Sequence, residues 1–188
     1  MMAGHNVAVI LAAGSSRRFG GDKRLANVYG VPMLQRSLAA YTACDITVCV
    51  VLRPNDPITD LVPEGVRVIE AADADFGMGH SLAAAAVQLN SVERLLVGLA
   101  DMPWVKTSTV ELVLAHIDAK DVIVRPSFQN QLGHPVGFAG RYLNDMKALR
   151  GDVGARELLK KHARNLRRVA VDDPGVLLDV DFRENLDS

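Results

Sequence analysis

The stretch that decides the fold is residues 6–23, NVAVILAAGSSRRFGGDK. Its first part, Val7-Ala8-Val9-Ile10-Leu11, is a continuous apolar run with the length of a buried strand. The loop that follows combines small residues and glycines with cations. A tight turn with few side chains lets backbone N–H groups approach an anion, and Arg18 and Lys23 can neutralise the anion's charge. The stretch therefore predicts a buried strand followed by a loop that binds the triphosphate of a nucleotide.

Two common phosphate-binding motifs are absent from this loop. It is not a P-loop, because Lys23 is not directly preceded by Gly and no Ser or Thr follows it. It also lacks G-x-G-x-x-G, which weakens a dinucleotide interpretation. A plain surface turn with solvated cations is therefore the alternative to a triphosphate loop at this point.

The composition is that of a folded domain rather than a disordered chain. The chain has 188 residues, of which 49% are hydrophobic, and we expect residues 1–188 to form a single domain. A net charge of −1 argues against a broad nucleic-acid surface. No apolar stretch has the length of a membrane span, and Cys44 and Cys49 are too far apart in an extended strand to form a disulfide. We expect a cytoplasmic protein without nucleic-acid or membrane partners.

Apolar runs of strand length alternate with segments of helical periodicity along the whole chain. This alternation predicts an α/β fold built on a mostly parallel sheet. The predicted strands lie at residues 7–11, 46–52, 66–69, 95–99, 122–124, 133–138, 166–171 and 176–180. The predicted helices lie near residues 32–42, 58–62, 82–89, 108–117, 141–149 and 155–162.

Asp101 is the strongest candidate for a metal ligand. It follows the predicted strand at residues 95–99, and parallel α/β sheets keep their ligand residues at the carboxyl ends of strands. A carboxylate at that place can hold Mg²⁺, which takes few protein ligands and keeps water and substrate phosphates for the rest. The alternative is an Asp that only caps the turn before Pro103.

Two further segments carry candidate binding residues. Gly77-Met78-Gly79-His80-Ser81 precedes a helix, so its backbone could approach a base or a ribose and Ser81 could donate a hydrogen bond; a simple helix N-cap is the alternative. His134, between Gly133 and Pro135, could face a pocket or be a polar residue on a hairpin. The histidines and cysteines show no zinc-binding spacing.

No arrangement typical of a Ser or Cys nucleophile is present. This absence fits a reaction in which a phosphate oxygen of one substrate attacks the α-phosphorus of a nucleotide. With a second pKa of about 6, the attacking phosphate is already mostly ionised. Such a reaction requires in-line placement, Mg²⁺ and cations beside the leaving pyrophosphate rather than a strong general base.

Six motifs in this order resemble the MobA-like nucleotidyltransferases and, within that family, the molybdenum cofactor cytidylyltransferases. They cover nearly the whole chain and read Leu11-Ala12-Ala13-Gly14-x-Ser16-x-Arg18-Phe19-Gly20…Lys23, Gly30-x-Pro32-Met33-Leu34, Gly77-Met78-Gly79-x-Ser81-Leu82, Leu99-Ala100-Asp101-Met102-Pro103, Gly133-His134-Pro135-Val136 and Gly151-Asp152-x-Gly154-Ala155-Arg156. The resemblance implies a Rossmann-like three-layer fold of the nucleotide-diphospho-sugar transferase type. It also implies transfer of CMP from CTP to the terminal phosphate of molybdopterin, with Mg²⁺ and release of pyrophosphate, and possible contact with a molybdoenzyme or its chaperone.

The same resemblance assigns roles to individual residues. The catalytic group is Arg18, Lys23 and Asp101, with Asp101 as the Mg²⁺ ligand. The nucleotide-binding group is Leu11, Ala12, Ala13, Gly14, Ser16, Arg18, Lys23, Gly79 and Ser81. The acceptor-binding group is His134, Asp152, Arg156, Asp179 and Asp181.

Two positions bear on the substrates. The related guanylyltransferases carry L-A-G-G where this chain has Leu11-Ala12-Ala13-Gly14, and the extra methyl of Ala13 would favour a pyrimidine base. The family's D-I-D-T-P-E-D segment is here Asp179-Val180-Asp181-Phe182-Arg183-Glu184-Asn185, which keeps both aspartates as a second metal or acceptor contact and loses the Thr-Pro pair. The alternatives are GTP as donor, a sugar or alditol phosphate as acceptor, or a nucleotide-binding cofactor chaperone without turnover.

Overall fold

The computed structural model describes residues 5–14 and 19–182 of the chain. Its strands are β1 (His5–Leu11), β2 (Asn27–Val28), β3 (Val31–Pro32), β4 (Thr47–Leu52), β5 (Arg67–Glu70), β6 (Val92–Leu99), β7 (Ile123–Phe128), β8 (Gln131–Leu132), β9 (Val136–Ala139) and β10 (Leu166–Ala170). Its α-helices are α1 (Met33–Thr42), α2 (Met78–Gln88), α3 (Thr107–Ala115), α4 (Leu143–Lys147) and α5 (Arg156–Lys161). None of the described helices is long and apolar enough to cross a bilayer.

One eight-stranded sheet organises the described residues. Its strand order is β10-β7-β9-β6-β1-β4-β5, and β8 pairs with β7. The pairs β1–β4, β1–β6, β4–β5 and β7–β10 are parallel, whereas β9 runs antiparallel to β6 and β7. The predicted α/β class with a mostly parallel sheet is therefore confirmed.

The burial of β1 explains why it lies in the middle of the sheet. Ala8, Val9 and Ile10 have no exposed surface, so neighbouring side chains on both faces of the strand are covered. From β1 the chain moves to β4 and β5 on one side, then returns to β6 on the other. Because parallel crossovers are right-handed, α1 and α2 are placed on opposite faces of the sheet. The reversal of direction leaves a crevice where β1 and β6 end, the usual ligand position in such sheets.

The predicted helix near residues 58–62 is a 3-10 helix at Pro57–Leu61, and the predicted strand at 133–138 begins only at Val136. Two further predicted elements also differ from the structure. The predicted strand at residues 176–180 is wrong, because Pro174–Leu177 forms a 3-10 helix. The buried Asp173 carboxylate accepts hydrogen bonds from Gly175 N and Lys106 N, which fixes this turn against the start of α3. Helix α2 begins at Met78, four residues before the predicted start, because the loop already ends at Gly77 with φ +120°.

Candidate active site

A cavity of about 480 Å³ opens where β1 and β6 end, and we call it the first cavity. Its wall includes Leu11, Ala12, Ala13 and Gly14 at the end of β1. The hydrogen-bond ladders of the sheet continue for one residue past the ends of β1 and β6. Ala12 N donates to Val51 O (3.0 Å), and Ala100 N donates to Leu11 O (3.1 Å). A Cβ atom at Gly14 would meet no atom of the described residues within 4 Å, so the described part of this turn borders open space.

Three carboxylates converge beside the first cavity, and we call them the carboxylate cluster. Asp101, Asp179 and Asp181 each offer one oxygen, and these oxygens lie within 4.8 Å of one another. Val180 is fully buried in a small core with Phe19, Val28 and Met33. On either side of this buried residue in the chain, Asp179 and Asp181 each bring an oxygen within 4.8 Å of the Asp101 carboxylate.

Hydrogen bonds to the backbone next to Asp101 join distant parts of the chain at the carboxylate cluster. Val180 N donates to Asp101 O at 2.9 Å, which ties the C-terminal segment to the end of β6. On α1 the buried Ser37 hydroxyl donates to Ala100 O at 2.9 Å, one residue before the aspartate. Ser37 was not predicted, although a lone hydroxyl on the apolar face of a helix is a usable signal of such a contact.

Lys23 contacts the carboxylate cluster directly. Its Nζ donates to Asp101 Oδ2 at 2.6 Å and to Val180 O at 3.1 Å, and it lies 3.7 Å from Asp181 Oδ1. The side chains of Lys23 and Asp101 are only 16% and 21% exposed. One ammonium group therefore offsets part of the charge of three carboxylates, and the basic loop after β1 and the acidic tip of β6 meet in one crevice.

The cluster fits a divalent cation such as Mg²⁺. Asp101 Oδ1 is buried and has no hydrogen-bond partner among the described residues, which is costly for a carboxylate oxygen unless a ligand or ion uses it. Carboxylate oxygens are the ligands that Mg²⁺ and other hard cations take. Asp101, with Asp179 and Asp181, can hold such an ion while Lys23 keeps the remaining Asp101 oxygen.

Arg24 fixes the loop after β1 from inside, a role that sequence reasoning missed. All five of its N–H donors are used: they reach the carboxylates of Asp22 and Asp56 and the backbone oxygen of Ala12 at 2.6–3.1 Å. Arg24 is 7% exposed and Asp56 6%. Hydrogen bonding from Arg24 lowers the pKa of the Asp22 carboxyl below its usual range. The acidic Asp22 directly before two basic residues was visible in the sequence, but the pairing of Arg24 with the distant Asp56 was not.

Arg53 is a second cation that the sequence analysis did not select. It follows β4 directly and lines the first cavity, where it forms a 3.0 Å ion pair with the exposed Asp75. Its Nε is buried without a hydrogen-bond partner among the residues that the structure describes. The group can therefore donate to an anion in the cavity, and its place directly after a parallel strand was a signal available in the sequence.

The residues predicted to bind nucleotide fall into three groups. Leu11, Ala12, Ala13, Gly14, Lys23 and Ser81 line the first cavity. Gly79 does not: a side chain there would lie 2.8 Å from the backbone oxygens of Arg150 and Gly151, so its small size permits packing against the chain itself. The predictions for Ser16 and Arg18 lie outside the described residues.

The residues predicted to bind the acceptor are dispersed. Asp152 and Asp181 line the first cavity, and Asp179 belongs to the carboxylate cluster. Arg156 is an exposed residue at the start of α5 and does not line the first cavity.

His134 also lies outside the first cavity. Burial, with the positive charge of Arg125, lowers the pKa of its imidazole to about 4, and its Nδ1 has no hydrogen-bond partner among the described residues. The ring is therefore neutral at physiological pH.

Known proteins resemble this chain over all or nearly all of its length. The Bacillus subtilis (strain 168) purine catabolism protein PucB is 27% identical over 200 residues, which span 100% of this chain and 97% of PucB. The crystal structure of Rv0371C from Mycobacterium tuberculosis H37Rv in complex with manganese superposes with a TM-score of 0.77 at 21% identity, covering 100% of both chains. CMP:2-keto-3-deoxy-manno-octonic acid synthetase complexed with CTP gives a TM-score of 0.78 at 16% identity, covering 97% of this chain and 95% of the synthetase.

These likenesses confirm the nucleotide-diphospho-sugar transferase type of fold. They do not separate the molybdenum cofactor branch from its relatives, so that finer assignment stays a prediction. Residues 8–166, most of the chain, match the MobA-like NTP transferase domain. The protein belongs to the MobA-like NTP transferase family and is a nucleotidyltransferase.

Proposed function

We propose that the protein transfers CMP from CTP to the terminal phosphate of molybdopterin, with Mg²⁺ at the carboxylate cluster and release of pyrophosphate. The observation that carries this proposal is the meeting of Asp101, Asp179 and Asp181 with Lys23 in the crevice where β1 and β6 end. Oxygen ligands for a cation and an ammonium group for phosphate oxygens are the two components that nucleotidyl transfer requires.

The first cavity suits the nucleoside triphosphate. Its volume of about 480 Å³ lies in the range of small-molecule sites. The loop after β1 offers backbone at one end of the cavity, and Lys23 and Arg53 supply positive charge for the triphosphate. Ser81, 4% exposed at the first turn of α2, offers a hydroxyl for the ribose or base. Arg18 is proposed as a further triphosphate ligand.

The reaction needs little acid–base chemistry from the protein. A terminal oxygen of the acceptor phosphate forms a new bond to the α-phosphorus of CTP, and the bond from that phosphorus to the oxygen bridging the β-phosphate breaks. The electron pair of that bond leaves with pyrophosphate. Mg²⁺ at the cluster would neutralise charge that develops on the phosphate oxygens. Lys23 holds one oxygen of Asp101 and leaves the other, which has no hydrogen-bond partner among the described residues, for the cation.

Ala13 supports CTP over GTP as the donor. Its side chain is 3% exposed and lines the first cavity, so the methyl group occupies space beside a bound nucleotide. A pyrimidine needs less room than a purine. The CTP complex of the synthetase with the same fold supports a cytidine nucleotide in this type of site, and the manganese complex of Rv0371C supports a divalent cation.

The decisive experiment is an acceptor screen with the full chain, Mg²⁺ and either CTP or GTP, following pyrophosphate release. We expect release with CTP and molybdopterin and little with GTP. Equal or faster turnover with GTP would contradict the base preference, and turnover only with a sugar or alditol phosphate would contradict the acceptor. Tight CTP binding without any pyrophosphate would favour a chaperone that hands the cofactor to a molybdoenzyme.

A further inference from the structure

Two of the three cluster carboxylates lie on a segment without regular secondary structure. Residues 178–181 follow the 3-10 helix Pro174–Leu177, and we call them the C-terminal strap. Of residues 178–182, only Val180 is buried, and its side chain has no exposed surface. Asp179 and Asp181 flank it directly in the chain. The strap therefore carries its carboxylates on either side of one buried apolar residue.

The strap begins at a fixed point in the fold. Val176 is fully buried, and its carbonyl oxygen accepts a hydrogen bond from His134 N at 2.9 Å. The turn at Gly175 lies so close to the backbone of Trp104 that a side chain there would overlap it. A short stretch, residues 177–179, joins this turn to Val180. The place at which Val180 docks therefore decides where the neighbouring carboxylates lie.

Val180 docks in a small core that is separate from the main core. Phe19, Val28 and Met33 form this small core with it, and Trp104 packs against them. All four buried members are at most 6% exposed. Because the small core has so few members among the described residues, losing one side chain removes a large share of its contacts.

Both backbone polar groups of Val180 are used at the site. Val180 N donates to Asp101 O at 2.9 Å, and Val180 O accepts from Lys23 Nζ at 3.1 Å. In the chain, Lys23 lies between Phe19 and Val28, which both belong to the small core. The loop that supplies the ammonium group and the strap that supplies two carboxylates are thus built on the same apolar core.

Asp101 is fixed by contacts that do not involve the strap. It follows β6, where Ala100 N donates to Leu11 O at 3.1 Å in the ladder of the sheet. From α1, the buried Ser37 hydroxyl donates to Ala100 O at 2.9 Å. Displacing the strap therefore separates its two carboxylates from Asp101 without dismantling the tip of β6.

We propose that Val180 is a positioning residue of the cation site. By docking in the small core it holds Asp179 and Asp181 beside Asp101, and it thereby sets the affinity for a divalent cation although its own side chain offers no ligand atom. This role rests on the cation site of the proposed function, but not on the choice of nucleotide or acceptor. If the strap is docked only part of the time, the apparent dissociation constant of the cation rises by the inverse of the docked fraction.

Mn²⁺ binding to the full protein, without nucleotide, measures this role. Mn²⁺ takes the same oxygen ligands as Mg²⁺, and the electron paramagnetic resonance signal of the free ion gives its dissociation constant. We expect that constant to rise about threefold in Val180→Ala and at least about tenfold in Val180→Asn, because truncation leaves a cavity and a buried amide lacks partners. Val180→Ile, which keeps an apolar β-branched side chain, should bind Mn²⁺ more tightly than either variant.

Val48→Ala is the matched control for Val180→Ala. It removes the same two methyl groups from a buried valine, but in the main core near the start of β4. We expect it to lower Tm and to leave the Mn²⁺ affinity unchanged, with circular dichroism showing that every variant is folded. Equal Mn²⁺ affinity in the wild type and both Val180 variants would overturn the proposal, and so would an equal loss in the Val48 control.

Trp104 is the single tryptophan of the chain, and its fluorescence reports on the small core. Val180→Asn should shift the emission to longer wavelength, because water reaches the indole when the strap leaves. Saturating Mg²⁺ should reverse part of the shift, since a cation that binds the docked strap better favours that state. A loss of Mn²⁺ affinity with unchanged emission would contradict a route through the small core.

Failure of this proposal and failure of the proposed function give different results. If the wild type and Val180→Asn bind Mn²⁺ equally well, the cation site stands and the role of Val180 falls. If the variant loses affinity but CTP yields no pyrophosphate with any acceptor, Val180 keeps its role and the cytidylyltransferase assignment fails. A wild-type protein that does not bind Mn²⁺ would overturn the positioning role and the cation site together.

Discussion

Replacing Asp101 with Asn should separate activity from stability. The substitution keeps the size of the side chain and removes one charge from the carboxylate cluster. The folded protein loses the 2.6 Å ion pair with Lys23, but it also loses repulsion from Asp179 and Asp181 within 4.8 Å. The sign of the net effect depends on which of these terms is larger.

The distances indicate that the repulsion is at least as large as the attraction. At an effective dielectric constant of about 20, the ion pair at 2.6 Å contributes about 6 kcal/mol, and each of the two carboxylate pairs, whose oxygens lie within 4.8 Å, opposes folding by at least about 3.5 kcal/mol. The free energy of unfolding without metal should therefore not fall by more than about 1 kcal/mol. Turnover should fall by at least about 100-fold, the scale seen when a preorganised electrostatic group is removed.

Thermal unfolding with and without Mg²⁺, together with pyrophosphate release, measures both effects. At a Mg²⁺ concentration about 100 times its dissociation constant, the wild-type protein should gain about 2.7 kcal/mol, or about 5–10 °C in Tm for a chain of this size. Asp101→Asn should lose most of that shift.

Asp45→Asn is the matched control for this experiment. Asp45 is exposed and precedes β4, so it lies at the edge of the sheet opposite the site. The control should keep wild-type turnover and the Mg²⁺-dependent shift. Asp101→Asn with both properties intact would refute the assignment of Asp101 as a metal ligand.

Three further predictions concern the surroundings of the site. Lys23→Ala should weaken CTP binding about tenfold or more in calorimetry, because a charge-assisted contact is lost, and unchanged affinity would count against the triphosphate site. Arg24→Lys should lower the free energy of unfolding, measured in urea, by about 2 kcal/mol. Three ammonium donors cannot replace five guanidinium N–H groups, so Ala12 O or a carboxylate loses its partner. A change below about 0.5 kcal/mol would contradict this prediction. Burial and Arg125 lower the pKa of His134 from 6.5 to about 4 in the folded protein. Between pH 6.5 and 4 the unfolded chain therefore binds a proton at this residue that the folded protein does not, so the free energy of unfolding should fall by about 3 kcal/mol over that range. His134→Gln should remove that part of the pH dependence. Urea unfolding at each pH measures the free energy of unfolding, and an equal decrease in both proteins would contradict the prediction.

Much of the fold was predictable because its signals are local. The buried run at residues 7–11, the helix ending at Thr42 and the strand ending at Leu52 all appear in the structure at nearly the predicted places. Residues 176–180 are an exception. The same apolar run can form a paired strand or pack into a small core without a strand, and its sequence does not separate the two. Val180 does the second, and the Asp173 carboxylate holds the preceding turn.

The candidate site was predictable only where one residue could be assigned without knowing its partner. Asp101 and Lys23 were selected from their places after strands, whereas Gly79 was assigned to a ligand and instead packs against the backbone of Arg150 and Gly151. A glycine in the sequence indicates that another group packs closely against the backbone, but it does not identify that group. Arg24 was missed because its partner Asp56 lies 32 residues away.

The sequence by itself determined the order of strands and helices, the basic loop after β1 and the acidic residue after β6, since periodicity and turn residues act over a few positions. Only the tertiary structure brought Lys23 to Asp101, 78 residues away, and turned Asp179 and Asp181 toward the same point. Contacts of this kind depend on strand order and on which faces are buried, and no local pattern of residues encodes them.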